Sequence, residues 1–336
     1  MIDCYTCKYI RISIFQAKAL YLLYNNNENM KTNNYIIKMF TIATTLLLCG
    51  CGSYNNNVNN SKQIMVSIEP LKGLVDIITC NDFIINTIVP LGEGPETYAP
   101  TPSTIAKIEE SEFVFLTGLL EFERELIGDN KQNNRNLHVI SSGTALISSE
   151  HAQHHTEEGH SHHHGADPHI WLSVRELQTV VNNITDVIMA AYPDSTKYAE
   201  RGAALIDKLK ECDAAMTDAF AESGAKAFAI YHPALSYYAR DYGLEQIAIE
   251  DEGKEPNLAR LKSSIDHAKS LNINKILYQR EYPVSVVENF ATELGATPEM
   301  FDPLSSDIIA ELCRITTLLT GIEVVAPDLN NKNLTE

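Results

Sequence analysis

The chain has 336 residues, with 26 lysines and arginines against 44 aspartates and glutamates, a formal charge of −18. So acidic a polymer lacks the basic footprint needed to neutralise phosphates, which excludes nucleic acid as a partner and suits the attraction of cations. Hydrophobic residues make up 44% of it, enough for one large or two medium domains with real cores.

Residues 1–62 carry signals of address rather than of fold. Residues 1–29 precede a better start at Met30 and read as a mis-called start; the Cys4/Cys7 pair there has no second pair to complete a metal site. Residues 30–50 read as a signal: Lys31 and Lys38 precede the apolar run Met39–Gly50, in charged-then-apolar order and too short to span a bilayer comfortably. The run ends Leu48-Cys49-Gly50-Cys51, which resembles the bacterial lipobox, with Cys51 as the lipidated residue; an ordinary cleaved signal is the other reading. Residues 51–62, with the tract Tyr54–Asn60, read as a lipidated flexible tether that has nothing to bury.

From residue 63 to 192 the periodicity predicts an α/β lobe. Strands are expected at Ile64–Ile68, Phe83–Val89, Glu112–Leu116 and Leu137–Ser141. A helix from Pro70 to Thr79 carries Leu71, Leu74, Val75 and Ile78 on one face, and a second opens at Thr101-Pro102. Strand and helix in alternation imply a parallel sheet flanked by helices.

A different chemistry interrupts this lobe at residues 150–166. Of the chain's 11 histidines, seven fall in this tract, which has no apolar period: His151, His154, His155, His160, His162, His163 and His164. An eighth, His169, lies where order returns, in Asp167-Pro168-His169-Ile170-Trp171. Neutral imidazole is the commonest protein ligand for borderline metals, so a His-rich tract beside one positioned histidine reads as a loop that collects a transition metal for a nearby site.

Beyond it, Ser173-Val174-Arg175-Glu176 is a capping box that opens a helix ending before Pro193. Residues 193–223 then support one rod of nearly thirty residues, on the order of 45 Å, expected to connect two lobes. Residues 224–328 repeat the alternation as a second α/β lobe. Strands are expected at Lys226–Tyr231, Gln246–Glu250, Lys275–Arg280 and Pro298–Phe301. Helices are expected at Pro233–Tyr242, Pro256–Leu271, Val284–Leu294 and Asp307–Leu319. Cys212 and Cys313 read either as a disulfide or as buried thiols; spacing does not choose.

Ligands of such lobes gather at the carboxyl ends of parallel strands. Four candidates stand at strand or loop ends: Glu96, His169, His232 and Asp302. Two imidazoles and two carboxylates, two from each lobe, form a donor set that zinc accepts. A zinc hydrolase would add a general base, for which Glu252 or Glu255 is available, but the chain has no HExxH.

The stretches around these residues carry a resemblance. Pro95-Glu96-Thr97-Tyr98-Ala99-Pro100-Thr101-Pro102, Asp167-Pro168-His169-Ile170-Trp171, Tyr231-His232-Pro233-Ala234, Tyr237-Tyr238-Ala239-Arg240, Gly253-Lys254-Glu255-Pro256 and Asp302-Pro303-Leu304 resemble the periplasmic metal-binding lipoproteins of zinc and manganese ABC transporters, a group that includes the zinc-uptake binding protein and lipoprotein adhesins. The resemblance runs from Ile64 to about Pro327. It implies two lobes joined by a rigid helix, one metal in the cleft between them, His169, His232 and Asp302 as ligands, and a monomer that is not an enzyme. Its location would be the periplasmic or cell-surface face, with a lipid anchor in a bacterial membrane. Its partner would be an ABC permease with a separate ATPase, and nothing in this chain resembles a P-loop. Glu96 departs from the group, which usually has histidine there. Its hardness leans towards manganese, whereas His232 and the His-rich loop lean towards zinc. Zn2+ is the expected ion, with Mn2+ open and a surface adhesin as the rival role.

Overall fold

In the computed structural model, residues 62–130, 136–141, 166–250 and 258–329 are described. The expected signal, lipobox, tether and His-rich loop lie outside the described residues, as do Glu252 and Glu255.

The first sheet begins with Gln63–Val66 (β1), where Ile64, Met65 and Val66 are all buried. The helix α1 (Glu69–Thr79) buries Leu71, Leu74, Val75 and Ile78, the face expected from its period. Strands β2 (Ile84–Thr87), β3 (Phe113–Leu116) and β4 (Leu137–Val139) complete an all-parallel sheet of order β2-β1-β3-β4. Helix α2 (Pro102–Glu110) starts where proline, which has no N–H to satisfy, takes the first position and the Thr101 hydroxyl accepts the N–H of Thr104 at the third.

One element was not legible from periodicity. Helix α3 (Glu121–Asn130) is half charged and buries Phe122 and Leu126. Its start is fixed by Glu123, a fully buried carboxylate that accepts the backbone N–H groups of Thr117, Leu119 and Leu120 and the hydroxyls of Ser67 and Thr117. Several donors on one carboxylate offset the cost of burying it.

Helix α4 (Val174–Ala191) is capped as expected, with the Ser173 hydroxyl accepting the Glu176 N–H. Helix α5 (Lys197–Ser223) has 27 residues, roughly 40 Å at about 1.5 Å each. It packs along α4, with Gly202 against Thr185 and Arg175 paired with Asp213, and also meets α1, α6 (Ser236–Tyr242) and α9 (Ile308–Thr320).

The second sheet repeats the first. Strands β5 (Ala227–Ile230), β6 (Glu245–Ala248), β7 (Lys275–Gln279) and β8 (Thr297–Phe301) are all parallel in the order β6-β5-β7-β8. Helices α7 (Leu258–Ser270) and α8 (Val284–Leu294) cover one face. The fold is thus α/β with two parallel-sheet lobes and a long connecting helix. One apolar cluster runs from Ile64 through α4 and α5 to Phe228, Phe301 and α9, so the lobes share a core. No helix among the described residues is long and apolar enough to cross a membrane.

Candidate metal centre

Both sheets reverse strand order next to their first strand, and ligands of such sheets collect outside the carboxyl ends at that point. His232 stands there in the second lobe, just past β5 and beside β7. Glu96 sits in the loop between β2 and α2, and His169 precedes the 3-10 turn Ile170–Leu172 that leads into α4. Trp171 buries its ring in this turn and donates its indole N–H to the Pro303 carbonyl at 2.8 Å; the Tyr237 hydroxyl donates to the Asp167 carbonyl at 2.8 Å. These two bonds tie the His169 segment to the second lobe.

Glu96, His169 and His232 bring one ligand atom each within 4.8 Å of one another. The Nε2 atoms of His169 and His232 face the same oxygen, Glu96 Oε1, at 2.8 and 3.1 Å. Ligand atoms around a tetrahedral zinc lie about 3.4 Å apart, given bonds of about 2.0–2.1 Å. The two edges that meet at Glu96 therefore fall short of that spacing by only about 0.6 and 0.3 Å.

Each imidazole is also held from behind. His169 Nδ1 is 2.8 Å from Asp167 Oδ1, which also accepts the His169 backbone N–H at 2.9 Å. His232 Nδ1 is 2.7 Å from Glu250 Oε2. A carboxylate on Nδ1 keeps a proton there and leaves Nε2 as the ligand atom, the arrangement that orients metal-binding histidines. Asp167 and Glu250 were not singled out by sequence reading as partners. Asp167 lies two residues from His169 and carried a local signal; Glu250 is 18 residues from its histidine and carried none.

The cluster holds protons as it stands. Burial disfavours the charged His169 ring, but the hydrogen bonds to Asp167 and then Glu96 push it up to about 10. His232 is likewise disfavoured by burial and is pushed up to about 9 by Glu250 and Glu96. Partial burial would raise the Glu96 carboxyl, yet the two imidazoles hold it well below the usual carboxylate range.

The group opens on a cavity of about 150 Å³ lined by Gly94, Pro95, Trp171, Gln279, Tyr282 and Leu304 among others. Since a water occupies about 30 Å³ of liquid, that is room for an ion and a few waters, not for an organic ligand of any size. Gln279, at the end of β7, is 3% exposed; its Nε2 donates to the His232 carbonyl at 3.3 Å, and its Oε1 has no hydrogen-bond partner among the described residues. A buried carbonyl without a donor fits a cavity built to receive a hydrated cation.

Asp302 is not brought into this group. Its Oδ2 pairs with Arg280 at 2.9 Å, and its Oδ1 accepts the Leu304 N–H at 3.0 Å. The neighbouring Pro303 and Leu304 do line the cavity, so the side chain is adjacent to the site but engaged by a cation of the protein itself.

The family model of zinc-uptake complex component A, a periplasmic protein, matches residues 64–312. The chain belongs to this family. It is 28% identical over 270 residues to the zinc-binding lipoprotein AdcA of Streptococcus pneumoniae R6, covering 78% of this chain and 53% of that one. It is 27% identical over 282 residues to the high-affinity zinc uptake system protein ZnuA of Bacillus subtilis 168, covering 79% and 88%. The crystal structure of a zinc-bound ZnuA deletion mutant superposes with a TM-score of 0.67 at 30% identity, covering 80% of this chain and all of that one. The chain thus spans about half the length of the AdcA lipoproteins it matches. Family membership, in a group of binding components rather than catalysts, sets the hydrolase reading aside.

Proposed function

We propose that this protein captures a divalent transition metal ion, zinc before manganese, outside the cytoplasm and passes it to an ABC permease driven by a separate ATPase. The observation that carries the reading is the convergence of His169 and His232 on Glu96, each imidazole backed by its own carboxylate. Two nitrogens and a carboxylate suit zinc, which also outcompetes manganese at most N/O sites. The names of the relatives, zinc-binding and zinc-uptake proteins, support the same ion.

Asp302 is the proposed fourth ligand, drawn by the ion from its pair with Arg280. The His-rich loop at 150–166, through His151, His154, His155, His160, His162, His163 and His164, would raise the local zinc concentration near the cleft. Residues 30–50 would be removed as a signal and Cys51 lipidated. Residues 51–62 would form a tether. The lobes would divide at 63–192 and 224–328, with 193–223 between them.

Titration calorimetry of the metal-stripped protein with Zn2+ and with Mn2+ tests the reading. The expected result is sub-micromolar zinc binding at one site, weaker manganese binding, and loss of the tight site in His232→Ala. Unchanged tight binding in that variant would remove His232 from the site. A protein that bound neither ion tightly would sink the proposal.

A further inference from the structure

The sulfurs of Cys212 and Cys313 lie 3.1 Å apart. Cys212 is in the middle of α5 and Cys313 is on α9, and the two are 2% and 1% exposed. Such a separation is inside the packing distance of two unbonded sulfurs and about 1 Å longer than a disulfide bond. Two small apolar side chains placed head to head in a core gain little from that approach as thiols, and much from closing it. The partners are 101 residues apart in the chain, so local sequence does not force the meeting; the packing of α9 on α5 does.

We infer that Cys212 and Cys313 are oxidised to a disulfide in the exported protein. The bridge rests on the extracytoplasmic location proposed above, where disulfides persist, and not on the metal. The chemistry is thiol–disulfide exchange. One cysteine thiolate attacks a disulfide-bearing oxidant and expels one of its sulfurs as a thiol, giving a mixed disulfide. The second cysteine thiolate then attacks its partner's sulfur and expels the other. The two cysteines lose two electrons and two protons, and the oxidant becomes a dithiol. Because both sulfurs are buried in the folded protein, the exchange accompanies folding and is complete once α9 has docked. The loop that it closes contains β5 to β8, and with them His232, Gln279 and Asp302. The crosslink therefore joins α9, which follows the last strand of the second lobe, to α5, which precedes the first, and constrains the unfolded chain over a long loop.

The test uses the full chain produced with export. Protein is denatured in a thiol-blocking maleimide without reductant, digested and mapped by mass spectrometry. The exposed Cys80 serves as the internal control for labelling. The expected result is blocked Cys80, unblocked Cys212 and Cys313, and one crosslinked peptide pair that separates on reduction. Export is scored separately by protease accessibility in intact cells, so an exported chain with Cys212 and Cys313 both blocked overturns the bridge while leaving the metal reading intact. Reductant should lower the Tm of the metal-free protein by roughly 5–15 °C and leave that of the Cys212→Ala/Cys313→Val variant unchanged. Equal sensitivity in the two proteins would also overturn it.

Discussion

His169 and His232, from different lobes, aim their Nε2 atoms at one oxygen of Glu96, 2.8 and 3.1 Å away. Their rings stand 5.5 Å apart, centroid to centroid. Without an ion the carboxylate is the common partner of two protonated imidazoles. With the proposed ion, the same three side chains would be a ligand set. The protons and the metal therefore compete for the same lone pairs, and most of what can be predicted about the protein follows from that competition.

Zinc binding should release protons and strengthen as pH rises. His169 and His232 are pushed up to about 10 and about 9, so both are charged at neutral pH and each must lose its Nε2 proton to ligate. Calorimetry in buffers of different ionisation enthalpy should report about two protons released per zinc near pH 7, falling towards zero above about pH 10. A count near zero at pH 7 would mean that the imidazoles are neutral before the ion arrives.

The stability of the metal-free protein should run the other way. A histidine with a raised folded-state value stabilises fully below its unfolded value of about 6.5 and loses that contribution as pH climbs through its folded value. For these two the decline spans about 6.5 to about 10. Glu96 and Asp167 are lowered, so their contribution is present above their ordinary values and fades as pH falls below them. The Tm of stripped protein should therefore drop from pH 6 to pH 10. Glu96→Gln should flatten that slope; an equally steep slope in the variant would place its origin elsewhere.

Glu250→Gln tests the support behind His232. The variant keeps the shape but weakens the acceptor that orients the ring and holds its Nδ1 proton. Loss of such a partner typically costs about 10–100-fold in metal affinity. Zinc affinity should fall by that factor with an unchanged far-ultraviolet spectrum, whereas His169→Ala should fall further. Equal affinities in Glu250→Gln and wild type would show that the contact is incidental.

Gln279 lines the same cavity, and its carbonyl oxygen has no hydrogen-bond partner among the described residues. Gln279→Leu removes a buried carbonyl that nothing among the described residues satisfies, together with the long 3.3 Å bond from its Nε2 to the His232 carbonyl, so the two effects oppose and the stability of the metal-free protein should change by less than about 1 kcal/mol. If that oxygen holds a water on the ion, zinc affinity should fall at the same time, by about tenfold for one hydrogen bond. Affinity falling only in step with a larger loss of stability would count against this role.

Gly73 on α1 is where the first lobe meets the loop after β8. A Cβ built there would stand 2.1 Å from the backbone oxygen of Ser306. Alanine is the better helix former by about 1 kcal/mol, but a clash with backbone must be relieved by displacing the loop, at about 1–3 kcal/mol. Gly73→Ala should thus be destabilising on balance in urea unfolding. It should also disturb the neighbouring Asp302 segment.

Much of the scaffold was written into local pattern. Eight expected strands correspond to eight observed ones among the described residues, because most carry a short apolar run, such as IMV in β1, FVFL in β3 and AFAI in β5, and such a signal needs no distant partner. The Ser173 cap, the proline start of α2 and the long helix α5 were legible for the same reason. Helix α3 was not, since its charged sequence hides two buried apolar residues and a start fixed by Glu123, whose donors come from distant Ser67 and from the segment 117–120.

The site divides along the same line. Residue type and position at strand ends singled out Glu96, His169, His232 and Asp302, but only folding brings Glu96 and His232 together across 136 residues. The chain order also could not say that Arg280 would claim Asp302, that Glu250 would stand behind His232, or that Gln279 Oε1 would find no donor among the described residues. Those outcomes depend on which of several nearby charges lies closest once the sheets are stacked. Periodicity is a property of a few adjacent residues, whereas electrostatic pairing is settled by distances that exist only after the chain has closed on itself.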